Sequence, residues 1–331
     1  MKYKKISTAK ICLCVFLIFV LVCIVLKPSV YMQATLQGVI VWANAVLPSL
    51  FPFFFLTTLL LELNALNSFS KVLKRPLKLF FNVSGDASFV YIMSIISGYP
   101  VGAKLIYELY KNNKINTFEA VRINAFTSNS GPAFILGTIG FSMLNNQYYG
   151  VIILLSHYLS AFINGFLYRN YGAKAKTTQS LTATTTNNMQ DLLGNTIKQS
   201  VLSVLIVGGY IALSFMFCAF LTDTKIINVL CAPINFLLSL FNLPSAYTQS
   251  IILGLTEITR GCLDLSMFIN TNTHLIIVLI SGIIAFGGVS VALQSLTYLK
   301  QCKVSTKVYI LQKFTQAILA IIISSFMVLI I

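Results

Sequence analysis

The stretch Ser97–Gly140, SGYPVGAKLIYELYKNNKINTFEAVRINAFTSNSGPAFILGTIG, interrupts a chain that is otherwise mostly lipid-soluble. It holds two clusters of glycine and proline, Gly98-Tyr99-Pro100-Val101-Gly102 and Asn129-Ser130-Gly131-Pro132. Lys104, Glu108 and Lys111 stand beside the first, and Asn124, Thr127 and Ser128 lead into the second. Glycine and proline break helices. Broken backbone at membrane depth survives only where protein or a water-filled cavity satisfies the freed N–H and C=O groups. The chain is therefore read as organised around a binding site made here and in one counterpart region.

Working outward, 57% of the 331 residues are hydrophobic and only 9% are charged, against roughly 25% charged in soluble proteins. Several apolar runs reach or approach the ~20 residues that span a bilayer, and no run shows the ~10-residue alternation of a membrane β-barrel. The class is an all-α polytopic membrane protein, with the lipid bilayer as its first partner. The net charge of +15 does not indicate nucleic acid. The lysines and arginines cluster in short loops beside apolar runs, as the positive-inside rule expects, and no nucleic-acid-binding motif is present. The seven cysteines are scattered, mostly in apolar runs, and read as small buried hydrophobes. Two lone histidines and no CxxC give no metal site. No cofactor is expected. The absence of HExxH, Walker A and GxGxxG motifs or a Ser-His-Asp arrangement leaves no enzyme site and no ATP-driven step.

The basic residues orient the chain. Lys2, Lys4, Lys5 and Lys10 precede a first helix, about Ala9–Leu26, and place the N-terminus in the cytoplasm. This run has the outline of a signal peptide but ends Lys27-Pro28 without a small-x-small cleavage site, so a retained helix is expected. A second helix, about Leu36–Leu63, is tilted or kinked by Pro48 and Pro52. Lys71, Lys74, Arg75 and Lys78 then mark a cytoplasmic loop, with room for a short interfacial helix. From about Asp86 to Tyr110 a re-entrant hairpin turning at Gly98–Gly102 keeps Lys104, Lys111, Lys114 and Arg122 inside, whereas a full crossing would not. A third helix, about Phe118–Phe141, is interrupted at Asn129–Pro132, and a fourth, about Tyr149–Tyr168, returns.

The polar run Thr177–Asn188 reads as a linker between halves. Beyond it, Thr196–Leu221 leaves the cytoplasm. Ile226–Leu243 and Ala246–Leu263 together make a second hairpin, entering from outside. His274–Leu299 runs inward with a break at Phe286–Ser290, and Thr306–Ile331 runs out. The expected architecture is thus about seven full transmembrane helices plus two re-entrant hairpins, with an inverted-topology repeat after the first helix. The divisions are 1–30 (first helix), 31–172 (first repeat), 173–190 (cytoplasmic linker) and 191–331 (second, inverted repeat). One register supports the repeat: Gly98 to Gly131 and Gly254 to Gly287 are both separated by 33 residues.

Glu257, in Gly254-Leu255-Thr256-Glu257-Ile258-Thr259-Arg260-Gly261, is the sharpest polar candidate, because an ionisable residue at membrane depth is costly. The blander alternative is an internal pair with Arg260, which i,i+3 spacing would place on the same helical face. Lys104 and Glu108 form the corresponding pair in the first hairpin, either at the site or as a solvated surface pair. At the break of the third helix, Asn129, Ser130 and Gly131 present a half-helix N-terminus suited to a carboxylate, phosphate or carbonyl. Gly287, Gly288, Ser290 and Gln294 are the counterpart, the alternative being close helix packing through small residues. Gly98, Gly102 and Thr256 complete the candidate binding set at the hairpin turns. His157 reads as a packing histidine rather than a proton relay. Trp42 and Tyr31 read as interfacial aromatics. Glu119, Asp191 and Asp264 read as helix-end residues.

The phrases SGYPVGAK (Ser97–Lys104), EAVRINAFTSNSGPAFILGTIG (Glu119–Gly140), GLTEITRG (Gly254–Gly261) and FGGVSVALQS (Phe286–Ser295), in this order, resemble the YlbJ family of sporulation integral membrane proteins, and the likeness extends over nearly the whole chain. That family is similar to the wider nucleoside-recognition, or Gate, group. The resemblance implies a bacterial inner-membrane protein needed for endospore formation, in mother-cell or forespore membranes, alongside other sporulation membrane proteins. GLTEIT is loosely similar to the glycine–glutamate motif of concentrative nucleoside transporters, which would make Glu257 a substrate or ion contact.

Two functions follow. The first is a transporter or permease that binds a small polar or anionic solute, nucleoside-like or otherwise, and is coupled to H⁺ or Na⁺ through Glu257. The second is a non-transporting scaffold for spore-envelope assembly whose basic loops hold partners or anionic lipid.

Overall fold

The computed structural model describes residues 8–63, 66–172, 189–240 and 244–330. All of the regular structure in them is helical. The expected linker 173–190, except for its last two positions, and the N-terminal Lys2, Lys4 and Lys5 lie outside the described residues, as do the side chains of Lys71 and Asp191.

Five helical stretches are long and apolar enough to cross a membrane: Pro28–Leu56, Gln147–Leu167, Leu193–Asp223, Thr273–Leu299 and Thr306–Leu329. The chain is an integral multi-pass membrane protein. The first of the seven expected crossings is the 19-residue helix Thr8–Leu26. The third is two 11-residue pieces, Thr117–Thr127 and Ala133–Met143, because the chain leaves the helix between Ser128 and Gly131.

The first half begins with α1 (Thr8–Leu26), α2 (Pro28–Val41) and α3 (Leu47–Glu62). A π-helical turn, Trp42–Val46, joins α2 to α3 just before Pro48. A proline cannot donate to the carbonyl four residues back, and the wider turn accommodates this locally. Thr138, from the second π-helical stretch Ala133–Met143, donates to Ala45 O at 3.2 Å and meets Ser49 Oγ at 2.9 Å. The two irregular helices thereby satisfy each other. Trp42 and Tyr31, expected as interfacial aromatics, both make contacts within the protein. Trp42 Nε1 donates to Val204 O at 3.1 Å, and Tyr31 is buried with its hydroxyl on Asp223. Both tie α2 to the long helix that opens the second half.

Next come α4 (Leu66–Phe81), a basic amphipathic helix, then α5 (Ala87–Ser97), α6 (Val101–Lys111) and α7 (Thr117–Thr127). α5 and α6 fold back on one another. The N–H of Ser84, just before α5, donates to the Glu119 carboxylate at 2.6 Å, and five residues carry the end of α6 into α7, capped by Asn116. Both outer ends therefore meet the start of α7, while the turn meets its end: a Cβ on Gly98 would overlap the Gly131 backbone. Glu119 is thus a helix-end residue, as expected, but also a buried tie between α5 and α7. α8 (Gln147–Leu167) closes the half.

The second half runs α9 (Met189–Asp223), α10 (Ile226–Ser239), α11 (Ala246–Thr256), α12 (Ile258–Ser266), α13 (Thr273–Phe286), α14 (Gly288–Leu299) and α15 (Thr306–Leu329). The expected second hairpin is corrected here. Ile226–Ser239 is a separate helix, and the fold-back lies within Ala246–Ser266, turning at Glu257. Tyr247 at the start of α11 packs edge-on against Phe268 at 5.4 Å, and its hydroxyl is 3.3 Å from Thr271, beyond the end of α12. The outer ends again meet the start of the next helix, where Asn272 caps α13. The turn again meets a break, with the carbonyls of Gly254 and Leu255 against Gly288.

The two broken rods, α7 with Ala133–Met143 and α13 with α14, run antiparallel. Leu299 and Tyr309 pack with Ile115, Ala120 and Val121 around the start of α7. Ile276 and Val328 share a second core with Ile152 at the start of α8. Each fold-back also leans on the other half, α6 against α14 and α12 against Ala133–Met143. α15 is stitched to the first half by Gln312, which accepts from Asn124 Nδ2 at 2.8 Å and donates to Val121 O at 2.9 Å.

Candidate functional site

The turns and breaks of both halves meet around one cavity, about 550 Å³ of space free of protein atoms including its open mouth. From the first half, Ser97 and Tyr99 of the α5–α6 turn and Ser130 and Gly131 of the break face it. From the second, Glu257 and Thr259 of the α11–α12 turn and Ser290 and Gln294 of α14 face it. Apolar side chains of α3 and α9, among them Phe54 and Tyr210, close the remaining wall.

Glu257 is 3% exposed and sits in extended backbone between α11 and α12. Its carboxylate accepts the Arg260 backbone N–H at 2.7 Å, so it is the N-cap of α12, and the positive end of the helix dipole favours its charge there. The expected ion pair with Arg260 is corrected. The Arg260 guanidinium points away to Asp264, with Nε–Oδ2 at 3.0 Å, and reaches Gln37 at 3.3 Å. A residue that caps a helix has left it, so i,i+3 spacing no longer sets its direction. Asp264 gains an ion-pair role beyond that of a helix-end residue. Lys104 and Glu108 are both exposed and form neither of the two ion pairs among the described residues.

Of the other expected residues, Ser130, Gly131, Ser290 and Gln294 line the cavity, and the rest stand behind it. Asn129 is buried and turns its amide back to Phe126 O at 2.9 Å. Thr256 bonds Ile252 O at 3.0 Å. Gly98 (φ +71), Gly287 (φ +88) and Gly288 (φ +65) are backbone corners, and Gly102 lets Thr127 O approach. These glycines shape the turns and breaks.

Behind the cavity stand His157, a packing histidine as expected, and two residues that the sequence does not single out, Tyr158 and Lys313. His157 of α8 accepts the Ser130 N–H on Nε2 at 2.9 Å, holding the break from behind. Tyr158, beside it, donates to Ile95 O at 2.9 Å and lies 3.2 Å from Ser130 O. Lys313 of α15 is 2% exposed, and its Nζ lies 2.8 Å from Tyr99 Oη, 2.8 Å from Ser128 O and 2.7 Å from Gln316 Oε1. The signal for it was available, as the one charged residue of α15 past its first turn.

The cavity therefore offers one carboxylate, several hydroxyls, an amide and helix N-termini from both halves. Such a set can hold a small polar molecule by donors and acceptors together. Among the described residues no cluster of three metal-ligating side chains occurs.

The chain is 29% identical over 326 residues to the sporulation integral membrane protein YlbJ of Bacillus subtilis (strain 168), covering 92% of this chain and 79% of that protein. This chain is a homologue of YlbJ. Residues 44–146 match the Gate family, described as nucleoside recognition. In this YlbJ homologue the matched region holds Ser97, Tyr99, Ser130 and Gly131, whereas Glu257 and the α14 residues lie beyond it. No solved structure matches the chain.

Proposed function

We propose that this protein is a transporter-like membrane protein, and no enzyme, that binds a small polar or anionic solute in the cavity between its two fold-backs and two broken rods. The observation that carries this reading is Glu257, a buried carboxylate facing a polar cavity built from both halves. An ionisable group at such depth is costly and is kept for function by default. Antiparallel broken rods around a central site are the plan of many secondary transporters. On this reading the halves are an inverted-topology repeat, the fold-backs are re-entrant hairpins, and Glu257 is the group through which H⁺ or Na⁺ would be coupled. The Gate match favours a nucleoside-like solute, and the similarity to YlbJ supports a role in sporulation; on this reading the protein sits in the bacterial cell membrane with its N-terminus cytoplasmic, the side that the basic N-terminal residues favour.

The test is saturable binding and uptake in proteoliposomes, with a panel of nucleosides, nucleotide precursors and peptidoglycan precursors. Wild type should bind at least one member and Glu257→Gln should lose it. If no member binds, and charge reversal at Lys74, Arg75 and Lys78 abolishes sporulation while Glu257→Gln leaves it intact, a scaffold role replaces this reading.

A further inference from the structure

An ammonium has three N–H donors and no acceptor, and Lys313 Nζ meets three oxygens: the Ser128 carbonyl, the Tyr99 hydroxyl and the Gln316 side-chain amide. The Ser128 carbonyl belongs to the end of α7, where the backbone carbonyls have no intrahelical partners and the dipole is negative. The Tyr99 ring lies 5.0 Å from the same nitrogen, adding its π face. No carboxylate pairs with Lys313 within 4 Å among the described residues. A freed helix carbonyl, a hydroxyl and an amide oxygen are the kind of oxygens that coordinate a monovalent cation at the C-terminal end of a half-helix. Lys313 also abuts the second break, since a Cβ on Gly287 would lie 3.5 Å from both Lys313 Cε and Tyr99 Oη.

We infer that Lys313 is a tethered cation, filling with its ammonium the place between the first fold-back and the first break that an inorganic monovalent cation would otherwise fill. It is a positioning residue. It fixes Tyr99 at the cavity wall and clamps the first break beside the second. The first break therefore needs no added alkali cation. The relevance to solute binding rests on the transporter-like reading; the cation site itself does not.

The test uses the full chain purified in detergent, with no solute present, unfolded by heat in choline, sodium or potassium chloride at equal ionic strength. Wild type should have the same Tm in all three. Lys313→Ala empties the oxygen cage, so its Tm should fall in choline and recover saturably with Na⁺ or K⁺. Lys313→Met, which fills the space without charge, should fall and not recover. Lys313→Arg should stay folded and insensitive to the cation. A saturable Na⁺ or K⁺ response in wild type or Lys313→Arg overturns the inference. So does Lys313→Ala that recovers no more than Lys313→Met, including failure to fold in any salt. Failure of the uptake experiment leaves this outcome untouched, and failure here leaves any measured uptake standing.

Discussion

The backbone N–H of Ser130 is donated to Nε2 of His157 at 2.9 Å, across 27 residues of chain. Removing the acceptor leaves a buried donor unpaired, which costs about 1–3 kcal/mol. His157→Ala should lower stability by about that amount in detergent unfolding, and His157→Gln, with an amide oxygen to accept, should recover part of it. A proton relay would instead make transport more sensitive to the substitution than Tm.

Glu257 separates two roles within one side chain. Glu257→Gln keeps an oxygen for the Arg260 N–H but removes the charge, so folding should hold while solute binding is lost. Glu257→Ala removes the cap as well and should cost a further 0.5–2 kcal/mol or so of stability. Parallel measurement of Tm and binding in both variants checks the split.

The ion pair of Arg260 should appear in a double-mutant cycle with Asp264 and not with Glu257. The pair is partly exposed, with 28% and 16% of the two side chains accessible, so coupling with Asp264 should be about 0.2–1 kcal/mol. Truncating Arg260 beyond its backbone should show near-zero coupling with Glu257→Gln, because the N–H that Glu257 holds survives the substitution.

Gly98 has φ +71, and a Cβ there would overlap the Gly131 backbone. Gly98→Ala should cost at least about 1–3 kcal/mol from the backbone conformation alone, read as lost expression or Tm. Gly209, exposed in the middle of α9 with open space around its Cα, is the control. Gly209→Ala should be neutral or stabilise by up to about 1 kcal/mol.

Much of this was legible in the chain because glycine and proline punctuate long apolar runs. The breaks at Ser128–Gly131 and Gly287 and the turn at Gly98 fall within the stretches where the residues place them, whereas the second turn, at Glu257, lies inside an expected arm of the second hairpin. The matched 33-residue spacings correspond to turn-against-break contacts in both halves. Periodicity could not say that Ile226–Ser239 is a helix of its own, since an apolar helix and an apolar hairpin arm look alike. The direction of Arg260 was lost because i,i+3 geometry presumes an unbroken helix, and Glu257 ends one. Lys313 was hidden by proximity to the basic loop Lys300–Lys307, where another lysine reads as one more cytoplasmic charge. Two of its three partners, Tyr99 and Ser128, come from positions more than 180 residues away, which no local pattern records.

Gln312 bonds both the Asn124 amide and the Val121 carbonyl, so the last helix covers polar groups on the face of the first broken rod. The region matched by the Gate family stops at residue 146, far short of α15. Made as a separate polypeptide, the first half would expose a polar seam to lipid with nothing to cover it. The first half should therefore not fold alone, and co-expressed fragments should recover stability only when the piece carrying α15 is present.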